Sequence, residues 1–384
     1  MEEVQPQQAP SPTVRYPLGV IARTALTLAG FAVIQVACSA PASSQPDASG
    51  AQQASGSPSL GSAAAPSPSG GATGWRLLPA KGPVPEARED HTWTLAPDGD
   101  AYLFAGRDGG EVYDDLWRYS VASGTWAQVT PTGASPAARF GHNAVWAAGI
   151  GLVIFAGQGP DGFFNDLWAF DATTNEWRQL QTSGARPVPR YGSCASIGPD
   201  GRLWISHGFT SEGQRFADTR AFDLDTAAWT DETPLGEAPI ERCLHACWWT
   251  GDDELVLYAG QTTGTTALDD LWHMVVGERP GTNSWARLAP DPAPVARNLH
   301  AAARWAAGTL VFGGQGNDDT YLADTWWISD DGTAVRLEID DALSPRAGAE
   351  LIADPDHGRL LLFGGRDSTS AFGELWQLVP PSLP

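Results

Sequence analysis

Residues 139–180 read RFGHNAVWAAGIGLVIFAGQGPDGFFNDLWAFDATTNEWRQL, and this stretch decides the fold. Short apolar runs at 143–147, 152–156 and 167–170 are separated by turn residues, and a further run opens at Trp177. Apolar runs of this length, bounded by Gly, Asp and Asn, predict strands rather than helices. The stretch therefore predicts four short antiparallel strands in one sheet, which cannot bury both of its faces alone.

The same unit recurs six times, and three anchor positions identify each copy. An arginine opens the copy, a glycine follows about 18 residues later, and an acid follows after 27 or 28 residues. Successive arginines are 51, 51, 52, 55 and 49 residues apart. The arginines are Arg88, Arg139, Arg190, Arg242, Arg297 and Arg346; the glycines are Gly106, Gly157, Gly208, Gly260, Gly314 and Gly365; the acids are Asp115, Asp166, Asp218, Asp270, Asp324 and Glu374. Four-stranded sheets at this period stack radially as the blades of a propeller.

The sixth copy lacks a fourth strand of its own. Tryptophan opens that strand in copies one to four, Val335 stands there in copy five, and copy six stops at Leu378. Residues 74–78, GWRLL, are similar to EWRQL at 176–180. An N-terminal strand placed in the last blade would close the ring and remove an exposed edge. We therefore predict an all-β, six-bladed propeller with four antiparallel strands per blade, closed by residues 75–78.

This pattern resembles the kelch-repeat family from residue 75 to about 379. The resemblance rests on the pairs Gly313-Gly314 and Gly364-Gly365, on the aromatic residues Tyr119, Phe170 and Phe222, and on the fourth-strand tryptophans. Four copies depart from the double glycine, with Ala105, Ala156, His207 and Ala259 at its first position. The resemblance implies the propeller fold but no single activity, because one fold hosts many functions.

Charge narrows the class of partner. The chain has 384 residues, with 45 acidic against 23 basic groups and a formal net charge of −22. Such an excess of acid disfavours a general nucleic-acid or anionic-membrane binder. We expect a monomer without a cofactor or a metal, and no nucleic-acid partner.

Residues 1–38 are typical of an export signal. Arg15 and Arg23 precede an apolar run at 24–37. This run is too short to span a bilayer and suits a signal peptide. The ending QVAC at 35–38 is similar to a bacterial lipobox, so we expect Cys38 to be lipidated. An ordinary signal peptide and an uncleaved anchor are the alternatives.

Residues 39–73 consist almost entirely of Ala, Ser, Pro, Gly and Gln, and such a segment predicts a disordered linker. The propeller then occupies 74–384. The predicted location is an exported, membrane-anchored lipoprotein, in the outer membrane and periplasm or at the cell surface.

The propeller carries three cysteines, Cys194, Cys243 and Cys247. The last two would lie about 13 Å apart in an extended strand, too far for a disulfide. Cys194 lies four residues after its arginine and Cys247 five residues after its own, so we expect their side chains to point to opposite sides. Free buried thiols are favoured over a disulfide.

Strand direction places the six arginines, the six acids and the loops after the glycines on one rim. Arginine forks match carboxylates, so we interpret these twelve residues as structural ion pairs within or between blades. The histidines three residues after the arginine, His91, His142, His245 and His300, are interpreted as lining the ring and bonding to backbone. Metal coordination is the alternative role for these histidines, but nothing in their spacing indicates that three of them converge.

Binding residues are sought where the copies differ, because a scaffold residue would repeat. The residues after the glycines are Arg107, Gln158, Phe209, Gln261, Gln315 and Arg366. Their amides, guanidinium groups and one aromatic ring suit a polar ligand such as a sugar, a peptide or a carboxylate. His207 and Glu350 join these ligand-binding candidates because copies three and six depart from the repeat there. Solvated loop side chains without a role are the alternative for each one.

The function predicted first is a binding module that presents this rim to a glycan or protein partner. Membership of a multiprotein surface assembly is a further alternative, which differs from the first only in the partner. The alternative is a carbohydrate-active enzyme, because kelch propellers include galactose oxidase and sialic-acid mutarotase. The chain has no neighbouring Tyr and His of the kind that bind copper in the first. An acid/base pair of the second kind could be formed by Glu350 with Arg346, or by His207 with Ser193.

Overall fold

The computed structural model describes residues 73–277, 281–339 and 343–383, all within the unit 66–384. These residues form six four-stranded antiparallel sheets, one per sequence copy, and contain no α-helix. We call them blades one to six, and number the strands of each blade from the axis outward. The six-bladed all-β architecture predicted from the repeat is confirmed.

The strands of blade two begin and end close to the predicted bounds, and blades one and three have the same order of four strands. Blade one contains Thr92–Leu95, Asp100–Phe104, Leu116–Ser120 and Thr125–Val129; blade two contains Asn143–Ala147, Gly151–Phe155, Leu167–Asp171 and Glu176–Gln179; blade three contains Cys194–Ile197, Leu203–Phe209, Arg215–Asp223 and Ala228–Asp231. The short strand Ser183–Gly184 pairs in parallel with the outer strand of blade three.

The other three blades follow the same order. Blade four contains Ala246–Trp249, Glu254–Tyr258, Leu271–Val275 and Ser284–Leu288; blade five contains Ala301–Arg304, Gly308–Gln315, Tyr321–Ser329 and Ala334–Leu337; blade six contains Ala347–Asp354, Arg359–Arg366, Leu375–Val379 and Gly74–Leu78. The loops after the glycines contain short elements of their own. In blades one and two these are two-residue ribbons, Arg107–Asp108 with Glu111–Val112 and Gln158–Gly159 with Gly162–Phe163. In blades three to five they are the 3-10 turns Ser211–Gly213, Thr263–Thr265 and Asn317–Asp319, and a further 3-10 turn is Pro355–His357.

The strand Gly74–Leu78 closes the ring as predicted. It pairs antiparallel with Leu375–Val379, and the register places Trp75 opposite Leu378 and Leu78 opposite Leu375. Trp75 is buried and packs on Phe312 of blade five, with ring centroids 4.8 Å apart. The chain's first described strand is therefore an integral part of its last blade.

Apolar side chains pack between neighbouring blades rather than in one central core. One such cluster joins Trp93 and Trp126 of blade one to Phe363 of blade six. The next joins Phe104 of blade one to Trp177 of blade two, with ring centroids 5.2 Å apart. Each sheet thus buries both of its faces on its neighbours, which a single blade could not do.

The inner strands of neighbouring blades contact each other through an even-numbered position after the arginine on one blade and an odd-numbered position on the next. The residue four positions after the arginine points to the following blade, where it meets a residue three or five positions after the next arginine. Thr92 Oγ1 lies 2.8 Å from His142 Nε2, and Ser193 Oγ donates to Asn143 Oδ1 at 2.7 Å.

The same geometry joins Cys194 to Cys247 in a disulfide between blades three and four, with Cα atoms 5.8 Å apart. The expectation of free thiols was wrong for these two cysteines. Side chains on opposite sides of their own blades diverge within one sheet, but on adjacent blades they face each other across the interface. Cys243 is a buried free thiol.

A closed ring of backbone hydrogen bonds surrounds the axis on the arginine-bearing rim. The residue two positions after each arginine has a left-handed backbone and donates its N–H to the carbonyl of the equivalent residue in the preceding blade. The six donor–acceptor pairs are Asp90 to Gly348, Gly141 to Asp90, Gly192 to Gly141, Leu244 to Gly192, Leu299 to Leu244 and Gly348 to Leu299, at 2.7 to 3.1 Å. These bonds couple all six blades in one circuit.

Candidate functional site

Each of the six arginines lies beside the acid of its own blade. Five form two-pronged contacts, Arg88 with Asp115, Arg139 with Asp166, Arg190 with Asp218, Arg242 with Asp270 and Arg297 with Asp324, at 2.5 to 3.1 Å. In blade six the longer side chain of Glu374 is 3.6 Å from Arg346. The arginine side chains in the five two-pronged pairs are at most 1% exposed, so the bidentate partner neutralises a buried charge.

Aromatic residues surround these ion pairs, and most of their contacts with the arginines and carboxylates were not predicted from the sequence. Four arginines lie under the rings of Tyr113, Phe164, Phe216 and Phe372, with ring centroids 4.1 to 4.4 Å from the guanidinium carbon. A tryptophan two residues after the acid donates its indole N–H to that carboxylate in blades one, two, four and five. In blade three Arg220 takes the place of this tryptophan and donates to Asp218 at 3.1 Å.

The arginines also explain the glycine pair. Nη1 of each arginine donates to the carbonyl of the residue before the repeated glycine, and that residue has φ between 58° and 72° in all six blades. The repeated glycine itself is crowded: a Cβ on Gly157 would lie 2.8 Å from the Cβ of His142. The four copies that depart from the double glycine therefore keep its backbone shape, with Ala or His in a left-handed conformation.

His207 is one of these left-handed residues, and its side chain is fully buried. Its Nδ1 lies 2.6 Å from Ser206 Oγ. Burial, with the nearby Arg242 guanidinium, lowers the pKa of His207 to about 3. This ligand-binding candidate therefore lies inside blade three and away from the rim surface.

The six residues after the glycines do lie together on the rim, and all six are half-buried. Each is held by a pair of backbone hydrogen bonds to the residue that follows the arginine, as in Gln158 with Phe140 at 2.9 and 3.0 Å. The bridged pairs are Glu89 with Arg107, Phe140 with Gln158, Tyr191 with Phe209, Cys243 with Gln261, Asn298 with Gln315, and Ala347 with Arg366. The inner circle of the rim is thus built from twelve positions.

A charged cluster joins Arg107 and Arg366 at the junction of blades one and six. Arg366 Nε donates to Glu89 Oε2 at 2.5 Å, while Arg107 contacts Glu89 Oε1 at 3.2 Å and Asp90 Oδ2 at 2.8 Å. Burial and the neighbouring Asp90 raise the pKa of Glu89 to about 7, although both arginines act in the opposite direction. Both guanidinium groups are therefore already paired with carboxylates.

Across the rim, an aromatic and amide cluster lies on blades two to four. Phe209 contacts Tyr191 and Phe163 edge to face, with centroids 6.2 and 5.9 Å apart. Arg215 lies 5.3 Å above the Phe209 ring and donates to Gln261 Oε1 at 3.2 Å. In blade five, Gln315 donates to Asp319 at 3.2 Å.

Outside this circle, three aliphatic residues are exposed on consecutive blades. Val188, Ile240 and Val295 each lie two positions before the arginine of blades three, four and five, and are 48%, 51% and 57% exposed. Their carbonyls accept a hydrogen bond from Nε of that arginine, which fixes the backbone and turns the side chain outward. We call these residues the aliphatic arc. The sequence shows an aliphatic residue at this position in three successive copies, but it does not show that these side chains are exposed.

A cavity of about 510 Å³ follows the propeller axis and is lined by the inner strands. His91, His142, His245 and His300 lie along it, with their rings against aromatic or histidine rings of the preceding blade. The expected bonds to backbone are not found for three of them, because His142 bonds the Thr92 hydroxyl and the ring nitrogens of His91 and His300 bond none of the described residues. Among the described residues no three His, Cys, Asp or Glu side chains are grouped so that they could hold a metal ion.

Glu350 also lines this cavity, and burial with the nearby Asp90 raises the pKa of its carboxyl to about 8. Arg346 donates to the Gly364 carbonyl and to Ser344 rather than to Glu350. Ser193 bonds Asn143, while His207 bonds Ser206. The structure thus brings together neither of the two acid/base pairs suggested by the sequence.

Comparison with known proteins agrees with this architecture. The sequence model of the KLHDC2/KLHL20/DRC7 Kelch-repeats domain matches residues 72–255. Kelch domain-containing protein 10 from Homo sapiens is 26% identical over 332 residues, which cover 78% of this chain and 72% of that protein. The solved structure of YjhT superposes with a TM-score of 0.62 at 16% identity, over 78% of this chain and 96% of the other.

The folded part of the chain is a kelch-repeat propeller. Adagio-like protein 3 from Oryza sativa subsp. japonica is 30% identical over 261 residues, which cover 63% of the chain but only 40% of that relative. The chain therefore spans less than half the length of that relative, and the likeness to YjhT concerns the fold alone. Within the described ranges no helix is long and apolar enough to cross a membrane. Cys38, the signal peptide and nearly all of the linker lie outside the described residues.

Proposed function

We propose that this kelch propeller is an exported binding module that holds a protein partner on its arginine-bearing rim. The observation that carries the proposal is the aliphatic arc, whose three side chains are each about half exposed on adjacent blades. Exposed apolar groups beside polar ones are typical of protein interfaces, where the apolar centre is dehydrated and a polar rim surrounds it. A glycan offers little apolar surface to three aliphatic side chains, so a protein is the better match.

The charge of this rim indicates the polar character of the partner. Arg107 and Arg366 are paired with Glu89 and Asp90, so they do not present free positive charge. The loops around them expose acidic side chains, namely Asp108, Glu111, Asp161, Glu212, Asp318 and Asp319. The partner surface would then be basic, and its association would slow as ionic strength rises.

Export is supported by the disulfide between blades three and four. Disulfides persist in oxidising compartments and are rare in the reducing cytosol. Lipidation of Cys38 and a tether at 39–73 would hold the propeller at a membrane surface. Changing Cys38→Ser should move the protein from the membrane fraction to the soluble exported fraction. Unchanged fractionation would reject the lipid anchor without affecting the rim proposal.

The rim proposal is tested by photo-crosslinking in the cells that make the protein. A photoreactive phenylalanine at Ile240 should yield a protein adduct of discrete mass, and Val295→Asp on the same chain should abolish it. Leu77, which is 56% exposed on the outer strand of blade six, provides the matched control position. We expect no adduct from Leu77. Equal adducts from both positions, none from Ile240, or an adduct insensitive to Val295→Asp would contradict the proposal.

A further inference from the structure

A second cavity, of about 180 Å³, lies at the seam between blades six and one. It is lined by Leu78, Lys81 and Arg359 on the side of blade six, and by Tyr119 and the turn 121–124 of blade one. Lys81 and Arg359 are cationic, and no Asp or Glu is among the described residues that line this cavity. In a chain with a net charge of −22, a cavity with this lining is unusual. We call it the seam pocket.

Lys81 is the only lysine in the chain, and it lies at the exposed side of the seam pocket. Its backbone is fixed, because its carbonyl accepts a hydrogen bond from the N–H of Trp126 at 3.0 Å. Its Nζ donates to the carbonyl of Ser123 at 2.9 Å and forms no ion pair with any described carboxylate. An ammonium group has three donors, so two remain for a ligand.

Tyr119 brings a hydroxyl group to the same space. The residue is 1% exposed, and its hydroxyl makes no hydrogen bond with any residue that the structure describes. A Cβ on Gly124 would lie 3.5 Å from Tyr119 Oη and 3.6 Å from Lys81 Nζ, so the two groups face one another across the position of that missing side chain. A hydroxyl that is withdrawn from water without a partner is destabilising unless a ligand or a trapped water pairs with it.

Arg359 forms the back of the seam pocket, and its charge is already compensated. Its Nε donates to Asp354 at 2.7 Å, and its Nη1 donates to Gln377 at 3.0 Å. Its Nη2 is 3.4 Å from the carbonyl of Val121, which fixes the guanidinium plane. The positive charge that lacks a carboxylate is therefore that of Lys81, and it suits a ligand with a single negative charge.

The two polar groups are absent from the corresponding seams before blades two and three. Seven residues before the arginine, Thr132 and Ser183 replace the lysine. Opposite the fourth-strand tryptophan, Phe170 and Phe222 replace the tyrosine. The ammonium and the hydroxyl thus occur together at one of these three seams, whereas groups needed for the scaffold would recur.

Gly124 keeps the seam pocket open. It has φ of 68° and lies two residues before Trp126, and the corresponding residue of blade two is Asn175, with φ of 58°. The Asn175 side-chain amide donates to the carbonyl of Thr130 at 2.8 Å, so an asparagine side chain fills the equivalent space there. Blade one has the same backbone turn without that side chain.

We propose that the seam pocket binds a small monocarboxylate with a short apolar chain. The carboxylate would accept charge-assisted hydrogen bonds from the Lys81 ammonium and the Tyr119 hydroxyl. Leu78, Pro79 and Val121 line the remainder of the pocket and would contact the apolar chain. Small-molecule sites commonly combine apolar walls with a few polar groups that fix the orientation of the ligand. A dianion such as sulfate fits less well, because one positive charge is uncompensated.

The single lysine makes the seam pocket directly observable in the whole chain. When the protein is labelled with 13C at the lysine Cε, its one side-chain signal belongs to Lys81. Sodium butyrate should shift this signal saturably, whereas sodium chloride at equal ionic strength and butylammonium chloride should not. Sodium sulfate should bind at least tenfold more weakly than butyrate.

Three variants keep the labelled lysine and separate binding from folding. Tyr119→Phe should weaken butyrate binding by about tenfold or more, because a hydrogen bond to a charged group is lost. Tyr102→Phe, which removes a buried tyrosine hydroxyl from the same blade outside the pocket, should leave the affinity unchanged. Gly124→Asn, which introduces the residue of blade two, should abolish binding without changing the unfolding temperature by more than a few degrees.

The absence of a saturable shift in the unmodified protein would overturn the proposal, and this measurement does not depend on the folding of any variant. Equal affinity of Tyr119→Phe and the unmodified chain, or retained binding by a folded Gly124→Asn, would do the same. Tighter binding of sulfate than of butyrate would reject a carboxylate as the ligand. Because the seam pocket and the aliphatic arc lie on different blades, Gly124→Asn should leave the Ile240 crosslink intact.

Discussion

The residue before each repeated glycine has a left-handed backbone, and a side chain at that position lowers the stability of the fold. Ala259 has φ of 59°, a conformation that costs a non-glycine residue about 1–2 kcal/mol. Ala259→Gly should raise the free energy of unfolding by about 0.5–1 kcal/mol, because relief of that cost exceeds the added entropy of the unfolded chain. Urea unfolding measures the change directly.

Gly313 occupies the same position in blade five and is the matched control. A Cβ there would lie 2.6 Å from the Arg346 carbonyl oxygen, so Gly313→Ala should destabilise the protein. If Ala259→Gly were destabilising as well, the backbone at that position would have to differ from the one described here.

Buried histidines make the fold sensitive to acid. Four of the seven histidines are buried, and the ring nitrogens of a fifth, His300, are buried as well. Burial lowers the pKa of His207 and His300 to about 3 and that of His91, His142 and His245 well below its ordinary value. In the unfolded chain these groups titrate near pH 6.5. Below that pH the unfolded state binds more protons, so stability falls as the pH falls.

Glu350 and Glu89 act in the opposite direction, because their pKa values of about 8 and about 7 lie above the ordinary value of 4.5. Their contribution is greatest below pH 4.5 and is lost as the pH rises. Near pH 5.5 the histidines that take up a proton on unfolding outnumber the glutamates that release one, so the free energy of unfolding should fall as the pH falls from 7 to 5.

Urea unfolding between pH 7 and 5 measures this slope. Glu350→Gln should steepen it by about one proton and raise stability at pH 8. A flat profile would show that the histidines are accessible to protons in the folded state.

At the scale of elements, the disulfide links the inner strand of blade three covalently to the inner strand of blade four. Its partners are 53 residues apart, so it restricts a long loop of the unfolded chain. Cys194→Ser with Cys247→Ser should lower the free energy of unfolding by about 2–4 kcal/mol. Chemical denaturation with and without reductant checks this, since reductant should reproduce the loss in the unmodified protein and leave the double variant unchanged. Equal stability in all four samples would show that no bridge forms.

Sequence periodicity was sufficient for elements but not for contacts between them. Strands of blade two were predicted to within one residue, because each short apolar run ends at Gly, Asp or Asn. The disulfide was missed because strand parity gives the side of a blade, whereas only the ring shows that opposite sides of adjacent blades meet. The left-handed backbone at Ala105, Ala156, Ala259 and His207 was also hidden, since none of these residues favours it.

The candidate site was predictable in position and less so in chemistry. The spacing of arginine, glycine and acid placed Arg107 and Arg366 on one rim, as the structure shows. Their pairing with Glu89 depends on blade six meeting blade one, which brings together residues 277 positions apart. The exposure of the aliphatic arc likewise depends on the tertiary structure, because an apolar residue in a loop gives no sign of which way it points.

At the scale of the whole molecule, the backbone circuit around the axis and the strand exchange at blade six make the propeller a closed ring. Every interface, the shared rim and the axial cavity depend on that closure. If the first strand paired elsewhere, blade six would lack its outer strand, and Arg366 would lose its fixed relation to Glu89.

The direct test is a cysteine pair at Arg76 and Gln377, which are opposite each other in the strand pairing. In a chain with Cys38→Ser and Cys243→Ser, we predict that Arg76→Cys with Gln377→Cys forms a disulfide in high yield under mild oxidation and raises the unfolding temperature. The register-shifted pair Arg76→Cys with Trp376→Cys should remain largely reduced. Efficient bridging in the shifted pair, or none in the aligned one, would contradict a six-bladed ring closed by its first strand.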